Sequence, residues 1–284
     1  MSRLAAIPLL LALAWAAPAG AQQAPLWRLV AQSDVIATGR LNFPTGTIPP
    51  RSYVLLPVSD LRVIKGVSAE PLAIRWFSEP GLYAPSAEQL ATASASSSVL
   101  FALRAEGAYY FAGNSPDAVQ PADSTTVASA ETEIARQAEI LRNWRADPTV
   151  ERYAEVRSII DRIATLRPAS DRAAQQDVIS GQQALFDQLI ALGDEAVPAI
   201  IMQMDDQRPL AASQISLVNK FPGAFEGIRH YGPDLIVDAL EAVLNDITGE
   251  SFGGIYNGGS SEERAKAVRG WRIYLDHRRS HPAN

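Results

Sequence analysis

The chain has 284 residues, of which 47% are hydrophobic and 20% are charged, and its formal net charge at pH 7 is -6. It contains no cysteine, which excludes a disulfide framework, thiol catalysis and cysteine-ligated zinc. An acidic chain without a basic stripe argues against nucleic acid as a partner, because phosphate neutralisation supplies most of that affinity. The same balance argues against an anionic membrane surface.

The first residues predict a secretory signal peptide. A basic start at Arg3 precedes an apolar run over residues 4–17, and the small residues Ala19 and Ala21 follow. The run is shorter than the ~20 residues that a membrane-spanning helix needs. We therefore expect a signal peptide over residues 1–21, and a periplasmic or secreted protein without membrane insertion after signal removal.

The next part of the chain, residues 22–122, has the pattern of a β-rich domain. Short runs of β-branched and aromatic residues alternate with turn residues, and Glu106-Gly107 predicts a tight hairpin. The predicted strands cover residues 35–41, 53–64, 71–77, 99–104 and 108–112. A short helix or a small-residue loop is expected over 86–95. Five strands in so short a stretch favour a small barrel or a sandwich.

The pattern becomes helical in residues 123–284. Apolar residues recur at helical spacing, as in the series Val156, Ile159 and Ile163. Seven amphipathic helices and no strand signal predict an all-α domain, and the polar stretch 123–126 is the expected boundary. The predicted fold class is therefore α+β with two domains.

Two short motifs in the first half resemble a known family. Residues 33–39 read SDVIATG, residues 63–66 read VIKG, and an apolar strand follows at 99–103. This order resembles bacterial exported modules related to the netrin-like and tissue-inhibitor-of-metalloproteinase domains, over residues 26–120. The resemblance implies an OB-type antiparallel barrel. Animal inhibitors contact their proteinase through an N-terminal cysteine, which this chain lacks, so that activity is not implied.

The second half resembles a HEAT-type helical repeat. Residues 190–201 read IALGDEAVPAII, and residues 247–253 read ITGESFG before a helix with WRIYL at 271–275. Such a turn-and-helix order resembles HEAT-like units over residues 182–277. The resemblance implies a scaffold or a binding surface rather than chemistry.

Two motifs have the spacing of catalytic or metal sites. Residues 249–253 match the G-x-S-x-G pattern of a nucleophilic serine, but that motif needs a strand before it, and here a helix precedes it. Gly249 is therefore expected to end a helix. His277 and His281 have metal-ligand spacing but lie in the last eight residues, where a frayed tail is favoured. We predict no metal site and no cofactor.

His230 is the remaining candidate for chemistry. It lies between Glu226 and Asp234, where it can serve as an acid–base group beside a carboxylate or as a structural residue of a loop. The alternative function is thus a hydrolase-type enzyme with a site between the domains near His230.

The leading hypothesis is a non-enzymatic envelope protein that binds a protein partner or acts as a scaffold; a purely structural accessory subunit is a third option. Tyr109-Tyr110 must alternate across a strand, so one ring is expected on the outer face. Phe252 and Tyr256 flank a Gly-rich loop that can form a groove. The candidate binding residues are Tyr109, Phe252, Tyr256 and His230.

Overall fold

The protein is described by a computed structural model that covers residues 24–67, 71–78, 85–105, 107–218 and 228–281. The predicted signal peptide lies outside these residues. The first half has the elements α1 (Leu26–Gln32), β1 (Val35–Leu41), β2 (Tyr53–Lys65), β3 (Ala73–Phe77), α2 (Ala87–Ser94), β4 (Ser98–Ala105), β5 (Ala108–Phe111) and β6 (Val119–Pro121).

Five of these strands close into a small barrel. Their order is β1-β2-β3-β5-β4, and β4 returns to pair with β1, while β6 adds to β4. All pairs are antiparallel except β3 and β5, which are parallel through the single pair Ile74 and Tyr109. Alternate residues such as Leu56 and Ile74 are fully buried in the barrel core. The predicted α+β fold with a small β-barrel is confirmed.

The second half contains the elements α3 (Ser124–Asn143), α4 (Tyr153–Thr165), α5 (Arg172–Ala191), α6 (Val197–Ile201), β7 (Ile215–Val218), β8 (Ile228–Tyr231), α7 (Ile236–Thr248) and α8 (Ser261–Ser280). The prediction of an all-α domain is wrong, because β7 and β8 form an antiparallel ribbon. Only Ile215 and Leu217 mark β7 as an alternating strand, which is too short a pattern to distinguish from a loop. The HEAT-like character of the helices stays a prediction.

Helix α1 and helix α3 connect the cores of the two halves. On α1, Trp27 and Ala31 pack into the helical core, whereas Leu29 and Val30 pack into the barrel core. Ala130 of α3 also packs into the barrel core. Residues on both sides of position 122 therefore contribute to the barrel core, and the two halves share a continuous interface.

The expected polar linker at 123–126 is the start of α3. The side chain of Asp123 accepts a hydrogen bond from the Thr126 N–H at 2.8 Å, which satisfies one of the free donors at the helix N-terminus. The stripe predicted on α4 is confirmed, since Val156, Ile159 and Ile163 are all buried.

Candidate functional site

A cleft of ≈ 1080 Å³ lies between the barrel and the helices α3 and α8. One wall comes from β2, β3 and the β4–β5 hairpin, and the other from the facing sides of the two helices. Tyr109, a predicted binding residue, lines this cleft, and its hydroxyl donates to the Val67 carbonyl at 3.5 Å. The other three predicted residues, Phe252, Tyr256 and His230, are not part of the cleft lining.

The floor of the cleft is built where α1 ends and β1 begins. Lys65, the last residue of β2, donates from its Nζ to the carbonyls of Val30 at 2.6 Å and Ser33 at 2.9 Å. These carbonyls terminate α1, so the ammonium satisfies acceptors that the helix leaves free. The next residue, Gly66, has φ +81, and a Cβ there would lie 2.0 Å from the Asp34 carbonyl oxygen. The two motifs behind the netrin-like resemblance thus contact each other directly.

Asp34 connects the barrel to α8 across this floor. Its Oδ2 accepts from the backbone N–H of Arg104 on β4 and from Nζ of Lys266 on α8, both at 2.6 Å. One carboxylate therefore fixes the start of β1 against β4 and holds α8 next to the barrel. This geometry sets the distance between the two walls of the cleft.

The electrostatic environment of the cleft is positive. Burial lowers the pKa of Lys65 to about 8; the neighbouring charge of Asp34 opposes the shift, and Lys266 and Arg269 add to it. Charged residues of the lining are Lys65, Arg75, Arg104, Lys266, Arg269, Asp34, Glu262 and Glu263. The described lining thus has five basic and three acidic side chains in a chain whose net charge is -6.

Only part of this positive charge is neutralised. Lys266 forms an ion pair with Asp34, but Lys65 donates to uncharged carbonyls. Within the described residues, the side chains of Arg104 and Arg269 form no ion pair, and both residues are exposed. Arg75 likewise contacts only tyrosine side chains, so among the described residues the cleft presents four cations without carboxylate partners.

The outer face of the barrel continues from the cleft mouth. Tyr53 and Leu55 on β2 are 66% and 60% exposed. Leu56, which points to the opposite side of the same strand, is fully buried in the core. The Arg75 guanidinium lies 5.7 Å from the Tyr53 ring centroid and 5.9 Å from that of Tyr110. The expectation that one ring of Tyr109-Tyr110 faces outward is met by Tyr110. Leu55 and Arg75 also line the cleft, so the two surfaces are continuous.

Phe252 is a core residue. It is 3% exposed, and its ring centroid lies 5.1 Å from Trp271 and 6.1 Å from Trp27. Gly270 permits this packing, because a Cβ there would lie 2.2 Å from Cβ of Phe252. Phe252 thus joins α1 to α8 by apolar contact.

Tyr256 lies in the loop before α8. Its hydroxyl donates to Oγ of Ser251, its ring is 5.1 Å from that of Tyr231, and burial raises its pKa. Ser251 therefore has a tyrosine rather than a histidine beside it, which does not provide the base that a nucleophilic serine needs. Gly249 ends α7 with φ +73, as expected.

A buried carboxylate organises the same loop, and the sequence reasoning did not identify it. Glu241 on α7 is fully buried; its Oε1 accepts from the N–H groups of Phe252, Gly253 and Gly254, and its Oε2 from that of Ile255. Burial raises the pKa of Glu241, and the four backbone donors oppose that rise. A glutamate on the apolar face of a helix that precedes a Gly-rich loop was the available signal.

Asp238, one turn earlier on α7, is equally enclosed. It is fully buried, and its carboxylate accepts hydrogen bonds from Nε and Nη2 of Arg264 at 2.7 and 2.8 Å. It also accepts one from the Leu235 N–H at 2.9 Å. The bidentate pair anchors the first turns of α7 and α8 to each other.

His230 lies on strand β8, and the interpretation that it occupies a loop is wrong. Its Nδ1 is 2.7 Å from Oγ of Ser216, its cross-strand neighbour on β7. Within the described residues, no carboxylate is bound to the ring. Glu226, one of the two carboxylates expected nearby, lies outside the described residues. The pair has the geometry of a cross-strand contact on an exposed ribbon.

His277 belongs to a regular helix and His281 caps its C-terminal end, so the frayed-tail interpretation is wrong for them. Helix α8 continues to Ser280, and the His277 ring stacks on Trp27 with centroids 4.4 Å apart. Burial is the main cause of the lowered pKa of His277, and the charge of the neighbouring His281 lowers this pKa further. In the described part of the chain, no three His, Cys, Asp or Glu residues form a group that could hold a metal ion.

Across residues 24–281, excluding the undescribed segments, no helix has both the length and the apolar character needed to cross a bilayer. Comparison of the chain with protein-family models, with curated proteins and with solved structures found no match.

Proposed function

We propose that this protein is a non-enzymatic binding protein of the cell envelope, and that its ligand is another protein. Export is supported by the signal-peptide pattern in residues 1–21. The docking surface has two parts. One is the outer face of β2 and β3, which we call the β2–β3 face, and the other is the cleft beside it.

The observation that supports this proposal most strongly is the exposure of the β2–β3 face. Tyr53 and Leu55 remain 66% and 60% exposed on a strand whose inward residues are buried. A strand face that only meets water is expected to have polar residues at these positions, so adjacent exposed apolar and aromatic groups mark an interaction surface. Tyrosine and arginine are also enriched where interfaces bind most strongly, and Arg75 stacks here between two tyrosine rings.

The architecture is consistent with the two resemblances. A five-stranded barrel in which β4 lies between β5 and β1 supports the OB-type interpretation, and OB-type barrels bind ligands on the face of strands 2 and 3. The helices form the opposite wall of the cleft, which fits the scaffold role that a HEAT-like unit implies.

The hydrolase alternative has less support. It requires His230 to face the cleft, but His230 lies on the β7–β8 ribbon and contacts Ser216. Convergent acid, base and nucleophile groups define an active site, whereas five of the eight charged side chains in the described cleft lining are cations and His230 is not among the lining residues.

Site-specific photocrosslinking tests the proposal. A photoreactive amino acid replaces Leu55 on the β2–β3 face, or Glu139 on the exposed side of α3 as a matched control, and the envelope fraction is irradiated. We expect one protein adduct from position 55 that is absent from position 139. Binding of the purified partner should also fall about tenfold in Tyr53→Ser. Adducts of equal yield at both positions, or no adduct at position 55, would contradict the proposal.

A further inference from the structure

The cleft combines unmatched positive charge with an apolar wall. Lys65, Arg104 and Arg269 face it without carboxylate partners among the described residues. Burial is the main cause that lowers the pKa of Lys65 to about 8, and the nearby charges of Lys266 and Arg269 lower it further. Concave sites lined by one sign of charge concentrate the field and attract the opposite charge.

The charges follow a gradient along α8. From its N-terminal end, the residues that face the cleft are Glu262, Glu263, Lys266, Arg269 and Ile273. The acidic pair belongs to the first turn, where Glu263 accepts from the Ser260 N–H as part of a capping box. Further along the cleft-facing side of the helix come the basic residues Lys266 and Arg269 and then the apolar Ile273.

Helix α3 extends the apolar end of the cleft. Ile134, Ala138 and Leu141 lie one helical turn apart and line the wall beside Ile273. A ligand that fills this cleft therefore places negative groups near the middle of α8 and apolar groups against α3.

The dimensions of the cleft favour an extended ligand. Pockets for small molecules enclose about 300–1,000 Å³, and this cleft has ≈ 1080 Å³ and is continuous with the exposed β2–β3 face through Leu55 and Arg75. A polypeptide segment can occupy both surfaces at once, whereas a compact metabolite would leave the face exposed.

We propose that the cleft binds an acidic–apolar polypeptide segment of the protein partner. Carboxylates of the segment bind Lys65, Arg104 and Arg269, and its apolar side chains pack against α3 and Ile273. The inference rests on the proposed function and specifies the chemistry of the partner. It also explains why an acidic chain concentrates positive charge at one concave site, since like charges elsewhere on its surface would repel such a partner.

Selection from a random displayed-peptide library against the purified protein tests this inference. We expect the selected peptides to be enriched in Asp and Glu interspersed with apolar residues, and their affinity to fall as salt is added. The variant Arg269→Glu should weaken their binding roughly tenfold or more, and Arg269→Lys should retain most of it. Because Arg269 is exposed and unpaired among the described residues, both variants should fold, which circular dichroism checks.

The matched control is Arg172→Glu, which reverses an exposed arginine at the start of α5 outside the cleft. Peptides without acidic enrichment, no selected peptide, or binding that Arg269→Glu leaves intact would overturn the inference. The proposed function is separable from it. If position 55 still crosslinks to a partner whose binding ignores Arg269→Glu, the function stands and the acidic ligand is wrong. If no partner crosslinks, the function itself fails.

Discussion

Two regions of this molecule concentrate charged side chains, and the partners of those charges differ between the two regions. On α7, Glu241 accepts hydrogen bonds from four backbone N–H groups, and Asp238 forms a bidentate ion pair with an arginine. In the cleft, Lys65 binds only neutral carbonyls, and Arg104 and Arg269 form no ion pair among the described residues.

This difference distinguishes charged side chains that stabilise the fold from charged side chains that are available to bind a ligand. A buried charge that is fully hydrogen-bonded contributes to the uniqueness of the fold and has no remaining capacity to bind. A half-buried or exposed cation that faces open space retains that capacity. Variants that disturb the α7 cluster should therefore change stability, and variants on the cleft side should mainly change binding.

The largest expected effect tests the structural side of this comparison. Glu241→Ala removes the acceptor of four buried or half-buried N–H groups in the loop over 252–255. We expect the free energy of unfolding to fall by about 3 kcal/mol or more, because each unsatisfied buried donor costs about 1–3 kcal/mol. Chemical denaturation measures this loss.

Two further variants calibrate that result. Glu241→Gln keeps one acceptor oxygen but presents an amide group to the Ile255 N–H, so an intermediate loss is expected. Glu139→Ala removes an exposed glutamate from α3 and should change stability by less than about 0.5 kcal/mol. If Glu241→Ala is as mild as Glu139→Ala, the loop does not depend on the buried carboxylate.

The second effect concerns the contact between the two motifs at the cleft floor. Gly66→Ala places a Cβ 2.0 Å from the Asp34 carbonyl oxygen at φ +81, whereas at Gly107, with φ +75, a Cβ meets no described atom within 4 Å. Gly107→Ala should cost about 1–2 kcal/mol from backbone strain alone. Gly66→Ala should cost about 1–3 kcal/mol more, because the clash adds to that strain. Thermal or chemical denaturation of both variants should reveal this difference, and equal losses would show that the contact is not tight.

Much of the barrel was predictable, because its strands are long enough to show alternation. The strand expected over 53–64 is observed as Tyr53–Lys65, and β4 and β5 pair antiparallel as the predicted hairpin requires, although Glu106 of its turn lies outside the described residues. The three-residue β6 and the four-residue β7 and β8 were not predicted, since so few residues define no period and, unlike the equally short β5, they had no predicted hairpin turn beside them.

The candidate site was predictable only in part. Tyr109 was selected from its aromatic strand and does line the cleft. Lys65, Arg104 and Arg269 were not selected, because each is a single cation on a strand or helix that is typically solvated. Only the closure of the barrel and the position of α8 bring them to one concavity. The motif residues Asp34 and Gly66 were noticed as patterns, but their contact depends on strand register, which the sequence does not specify.

A third prediction uses the pKa of Lys65. Its folded-state pKa of about 8 lies below the ordinary value of 10.5, so the unfolded chain holds the proton more tightly in the interval between them. Stability therefore rises as pH increases through that interval, and the cost of burying the charged ammonium is present in full below it. Between about pH 7 and about pH 9.5, the wild type should gain roughly 1 kcal/mol relative to Lys65→Met, after discounting for partial exposure.

Denaturation curves of both proteins at the two pH values measure this difference in stability gain. The contributions of all other titrating groups are common to the two proteins and cancel. A gain of the same size in both proteins would mean that burial does not lower the pKa of Lys65. An acidic peptide bound in the cleft should reduce the difference, because a neighbouring carboxylate raises the pKa of a lysine.

The smallest expected effect on stability is on the β2–β3 face, where the contrast between structural and binding residues can be tested within one strand. Leu55 is 60% exposed and its neighbour Leu56 is fully buried. Leu55→Ser should change the free energy of unfolding by no more than about 0.5 kcal/mol, whereas Leu56→Ser should cost about 3 kcal/mol or more from the lost burial and the cavity.

The same Leu55→Ser variant should nevertheless weaken partner binding about tenfold, since truncation of an exposed apolar anchor removes interface area without changing the fold. If Leu55→Ser lowers stability as much as Leu56→Ser, the β2–β3 face is part of the folded core. In that case its exposed residues do not mark a docking surface, and the partner must be sought at the cleft alone.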